Sequence, residues 1–185
     1  MAEESSWISY TERLESLTEE ELTRVMDTLF PILKKEGVFA KVIGRNSQLQ
    51  KKYFPGMRMT KIQPSMFKRA VQRAIRSNDD FFLGPLIIEK WLSLYGEIEM
   101  SISQFLENTE QLAAYEAYRT DTDPEADNLV FAVHYLLYQQ QLDEGDLRLF
   151  LKLSGGFDEP LFMQQVQRAA EIENAMKTEN QGETS

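Results

Sequence analysis

The sequence predicts an all-α fold. Helix-capping signals recur along the chain, the apolar residues between them follow the 3.6-residue period, and strand-like alternation is nearly absent. With 185 residues, the expectation is one compact, irregular multi-helix domain of about seven to nine short helices over residues 6–156. A flexible N-terminus (1–5) precedes it. A C-terminal helix over 157–176, packed on the domain or on a partner, and a disordered tail over 177–185 follow it.

Trp7, Ile8, Tyr10, Leu14 and Leu17 suggest a short first helix. Thr18 followed by Glu21 is a capping box that should open a second helix near Glu19. Leu22, Val25, Met26, Leu29 and Leu33 keep its period, Gly37 is its expected stop, and Pro31 should kink or divide it. Val38 to Ile43 reads equally as a helical turn or a strand, because a short apolar run has no diagnostic period. Asn46 or Ser47 caps a helix to Phe54, ended by Pro55-Gly56. After a turn region to Pro64, residues 65–77 are strongly amphipathic: Phe67, Ala70, Val71, Ala74 and Ile75 share one face and Arg69, Arg73 and Arg76 the other.

Pro85 suits the first turn of a helix ended by Gly96, and Ile98 to Leu106 is the next. Asn108 or Thr109 caps another to Tyr118. Asp123-Pro124 opens a helix to about Gln141 whose Leu129, Val130, Phe131, Val133, Leu136 and Leu137 are apolar almost all round, so it should sit in the core. Asp143 caps a helix closed by Gly155-Gly156, and Pro160 lies in the first turn of the last, whose stripe of Phe162, Val166, Ala169 and Met176 is thin.

Composition excludes several function classes. The absence of cysteine removes disulfides, thiolate metal sites and cysteine nucleophiles, and a single histidine removes multi-histidine sites. The most apolar window, Phe81 to Met100, holds Glu89, Lys90, Glu97 and Glu99 and cannot supply a membrane span. The acidic opening lacks the form of an export signal, so the expected location is cytoplasmic. Phosphate-cradling glycine motifs, Gly-x-Ser-x-Gly and His-Glu-x-x-His are all missing. His134, among Val130, Leu137 and Tyr138, reads as a buried, hydrogen-bonded histidine. Asp121, Asp123, Glu125 and Asp127 imitate half of a calcium loop but meet Ala126 and Ala132 where it needs Gly and Glu. No enzyme activity, cofactor, metal or small-molecule substrate is expected.

The positive signal is charge. The net charge of −10 hides a block over 34–76 with twelve basic residues against the single acid Glu36, flanked by acidic sequence on both sides. Lys51, Lys52, Arg58, Lys61, Lys68, Arg69, Arg73 and Arg76 are its candidate binding residues. Such a cluster presents a positive field to an acidic protein surface or to nucleic acid phosphates. Tyr53 and Phe54 offer aromatic surface for stacking on a base. Met57, Met59 and Met66 read as fillers of core gaps. The ten-residue connection from Pro55 to Pro64 is too long for a helix-turn-helix. The expected function is a non-catalytic accessory or adaptor subunit docking on an acidic partner, with nucleic-acid binding through the same face as the alternative. The plain alternative is a solvated face neutralised by the protein's own acids.

Overall fold

The computed structural model describes residues 8–119 and 124–182. Among them the chain is all-helical, with eleven α-helices and no strand. It forms two compact units, Met1–Leu94 with Lys152–Gly155, and Tyr95–Leu151 with Gly156–Ser185. The boundary at Leu94 falls inside the 6–156 span, and the last helix belongs with the second unit. Trp7, Asp121 and Asp123 lie outside the described residues.

In the first unit, α1 (Tyr10–Glu15) is capped by Ser9. Helix α2 (Glu19–Lys35) opens on the expected capping box: the Glu21 N–H donates to Thr18 Oγ1 at 3.1 Å and the Thr18 N–H to Glu21 Oε1 at 2.9 Å. Pro31 does not divide it. Val25, Met26, Leu29, Phe30 and Leu33 are all buried along the helix, and their packing outweighs the hydrogen bond that proline forfeits. Gly37, at φ 72°, ends the run. The undecided Val38 to Ile43 segment is helical, with a π-turn over Phe39–Ile43.

Helix α3 (Ser47–Tyr53) starts at the Asn46 cap, and a 3₁₀ turn (Met59–Lys61) leads to α4 (Pro64–Arg76). The apolar face of α4 buries Phe67, Ala70, Val71 and Ala74 against α1, α2 and α5. Phe67 lies 5.9 Å from the Phe30 ring and 5.6 Å from Phe39, and Phe54 closes the same aromatic group.

The helix expected from Pro85 starts earlier. Asp79 caps α5 (Asp80–Leu83), which continues through a π-turn over Gly84–Ile88 into α6 (Glu89–Leu94). The wide turn accommodates Pro85, which has no N–H to give. A Cβ at buried Gly84 would stand 2.5 Å from the Tyr10 ring, so glycine there admits the close approach of α1.

The second unit comprises α7 (Gly96–Glu107), α8 (Thr109–Glu116), α9 (Pro124–His134) with its π-turn (Tyr135–Gln139), most of α10 (Glu144–Ser154), and α11 (Glu159–Gly182). Gly96 begins α7 instead of ending α6. Helix α9 carries the core, with Phe131 beside Phe105, Tyr115 and Ile172. Helix α11 packs along α9 through Phe162, Gln165, Ala169 and Ile172. It also runs to Gly182, so residues 177–182, read from their polar composition as a disordered tail, are helical. With no proline or helix-ending glycine between Met176 and Asn180, the helix propagates past its last buried residue.

Candidate partner-binding face

The eight cations singled out in the sequence all fall in the first unit. By residue count this unit holds 16 basic and 12 acidic side chains, a net +4, whereas the second holds 4 and 18, a net −14. Charge is therefore segregated at the level of folded units as well as along the chain.

The exposed side of α4 is a ridge bearing Arg69, Arg73 and Arg76, with a depression on each flank. On the α3 flank lies a cavity of about 160 Å³ lined by Tyr53, Phe54, Pro55, Met57, Met66, Arg69, Ala70 and Arg73. On the other flank a larger groove of about 450 Å³, floored by Leu14, Leu17, Leu22 and Ile75, is bordered by Arg76 and Gln72 on one side and Glu15 and Glu19 on the other. One helical stripe thus serves two different surfaces, which periodicity alone does not reveal.

Five of the eight cations, Lys51, Arg58, Lys61, Arg69 and Arg76, are exposed and make no ion pair with a described residue. The other three are engaged. Lys52 Nζ meets Asp79 Oδ2 at 3.2 Å. Arg73 Nη1 donates to the Lys52 carbonyl at 2.9 Å, which satisfies an orphan C=O in the last turn of α3 and ties that helix to α4. Lys68 Nζ donates to Thr23 Oγ1 at 3.0 Å and is directed at α2. The block's single acid, Glu36, is occupied by Lys90 at 2.6 Å.

Asp79 organises the edge of this face. Its carboxylate accepts from Lys52, from the Tyr53 hydroxyl and from the Phe82 N–H at 3.2 Å. Burial alone would push the carboxyl up, but these three donors outweigh it and hold it below its ordinary value. Burial, and then the neighbouring carboxylate, push the Tyr53 phenol up, while the bond to Asp79 raises the Lys52 ammonium.

The aromatic pair does not offer a stacking platform. Tyr53 is 4% exposed and Phe54 is 1%, and the Tyr53 ring is stacked on Phe82 with centroids 4.3 Å apart. Both side chains belong to the core, because α3 is capped and oriented so that its last turn faces inward. Met57 and Met66 are half-buried and line the small cavity, a placement missed when they were read as core filler.

No protein family, curated protein or solved structure matches the chain.

Elsewhere, His134 is fully buried, with Nε2 at 3.1 Å from Glu173 Oε2 and the Tyr115 ring edge-on at 4.9 Å. Burial pushes its pKa down against the opposing pull of Glu173. Its Nδ1 has no hydrogen-bond partner among the described residues. Asp127, the buried member of the acidic cluster, has Arg119 Nε at 3.6 Å. Among the described residues no three His, Asp or Glu side chains converge in a way that would hold a metal ion, and no helix is long and apolar enough to cross a membrane.

Proposed function

We propose that the chain is a non-catalytic adaptor or accessory subunit of an intracellular complex, docking on an acidic protein surface through the α3–α4 face. One observation supports this reading: Lys51, Arg58, Lys61, Arg69 and Arg76 are exposed on α3, α4 and the segment between them and make no ion pair with a described residue, whereas Lys52, Lys68 and Arg73 are engaged within the unit. Desolvating cations already paired would gain little. Unpaired ones contribute specificity where they meet carboxylates at short range. The burial of Tyr53 and Phe54 weakens the nucleic-acid alternative, since it removes the rings that a single-strand binder stacks on bases. The same reading places the protein in the cytosol.

The test is affinity capture from native cells with wild type and an Arg69→Glu/Arg76→Glu variant, with and without nuclease, after circular dichroism has confirmed both fold. Arg73 is left intact because it supports α3. Partners that survive nuclease and vanish in the variant are expected. Capture that is unchanged by the variant would refute docking through this face, and capture abolished by nuclease would transfer it to nucleic acid.

A further inference from the structure

We infer that the cavity between α3 and α4 is the anchor point of that docking face, and that it receives an aliphatic side chain flanked by carboxylates on an acidic segment of the partner protein. The inference rests on the docking reading above and gives it a specific pocket.

Three features of the cavity define its occupant. Its mouth carries two guanidiniums one helical turn apart. Arg73 is held in place by its bond to the Lys52 carbonyl, with most of its five N–H donors still available, and Arg69 is exposed and makes no ion pair with a described residue. Its floor is apolar: Phe54 and Ala70 are buried beneath it, and Pro55 and the thioethers of Met57 and Met66 form the walls. No acid lines it. Asp79, which reaches the lining through Tyr53, is already occupied by the Tyr53 hydroxyl, Lys52 and the Phe82 N–H.

The occupant must therefore bring negative charge at the rim and an apolar group at the centre. A phosphodiester backbone brings the first without the second and would leave the methionines in contact with water. About 160 Å³ holds one side chain of leucine or methionine size, and methionine walls adapt to either. The groove on the opposite flank of α4 does not suit the same segment, because Glu15 and Glu19 border it and would repel the flanking carboxylates.

The experiment is methyl NMR on the full chain with ¹³C-methyl methionine, alongside amide spectra. The ligands are two capped synthetic peptides of equal charge, Glu-Asp-Glu-Asp-Leu-Glu-Asp-Glu-Asp and the same peptide with Ser for Leu. The leucine peptide should bind about tenfold more tightly or better, as expected for burying one leucine side chain. It should shift the Met57 and Met66 methyls, leave the exposed Met100 and Met163 methyls unmoved, and lose its effect in Arg69→Glu. Met66→Ser, which leaves the arginines in place, should erase the difference between the peptides. Equal binding of the two peptides, or amide shifts at Lys51, Arg58 and Lys61 with silent Met57 and Met66 methyls, would overturn the pocket and leave the docking face standing. Absence of binding by either peptide at low salt would overturn both. A duplex DNA that shifts the two methyls more than the leucine peptide would assign the cavity to nucleic acid instead.

Discussion

Replacing Asp79 with alanine removes an N-cap and a partly buried acceptor at once, and both losses can be sized. The carboxylate caps α5 through the Phe82 N–H, a cap worth roughly 1 kcal/mol. It also takes the hydrogen bond of Tyr53, whose side chain is almost fully enclosed, and a buried hydroxyl stripped of its acceptor costs about 1 to 3 kcal/mol. The exposed Lys52 adds little, since its ammonium returns to water. Asp79→Ala should therefore destabilise the first unit by about 2 to 4 kcal/mol. Asp79→Asn, which keeps a good cap and loses the charge, should cost about 1 kcal/mol.

Urea unfolding followed by tryptophan fluorescence is suited to the measurement, because Trp91 is buried in the first unit. The pH dependence supplies a second signature. The folded pKa of Asp79 lies below its ordinary value of 3.8, so its contribution is complete above that value and is lost as pH falls through the folded one. The gap between wild type and Asp79→Ala should narrow in acid. A loss below about 0.5 kcal/mol at neutral pH would refute the assignment of Asp79 as the organiser of this edge.

Two further outcomes are expected. His134 is a base whose folded pKa lies below its ordinary 6.5, so stability is complete above that value and declines as pH falls from there toward the folded pKa, at up to about 1.4 kcal/mol per pH unit. Thermal unfolding at pH 7.5 and 5.5 should show a smaller acid loss in His134→Gln than in wild type, and equal losses would count against the buried imidazole as its source. Gly155, at φ +88°, ends α10 where an added Cβ would stand 2.8 Å from Arg13 Nε, and Arg13 is itself anchored to the Ile8 and Leu153 carbonyls. Gly155→Ala should cost roughly 2 kcal/mol or more in chemical denaturation, and a neutral substitution would refute both the left-handed backbone and the Arg13 contact as constraints at this position.

The helices were legible because their signals are local. Thr18 with Glu21, Asn46, Asn108 and Gly37 act within one turn of chain, and each cap or stop stands where the sequence placed it. Pro85 and Gly96 misled because each was read as punctuation, while tertiary packing carried the chain through one in a π-turn and started a helix on the other. The candidate site was legible in its charge and illegible in its surface. Counting basic residues located the block and helical period located the ridge. Neither could show that Tyr53 turns inward onto Phe82, that Lys68 leaves the face for Thr23, or that Met57 and Met66 meet across a cavity from positions nine residues apart. The one visible clue was the presence of methionines beside arginines.

That clue also bears on the choice of partner. Nucleic-acid binders draw on net positive charge and many phosphate contacts, and their affinity falls steeply with salt. Here the folded unit carrying the basic face has a net charge of only +4, within a chain at −10. A long-range field of that size attracts a polyanion weakly, so the free cations must act at short range, where geometry decides. At short range the face has two guanidiniums over an apolar floor, and half of such a surface is useful to a phosphate backbone while all of it is useful to a peptide that alternates carboxylates with an aliphatic side chain. The acidic sequence in the remainder of the chain then works in the same direction, since it penalises every polyanion that lacks the apolar contact to offset the repulsion.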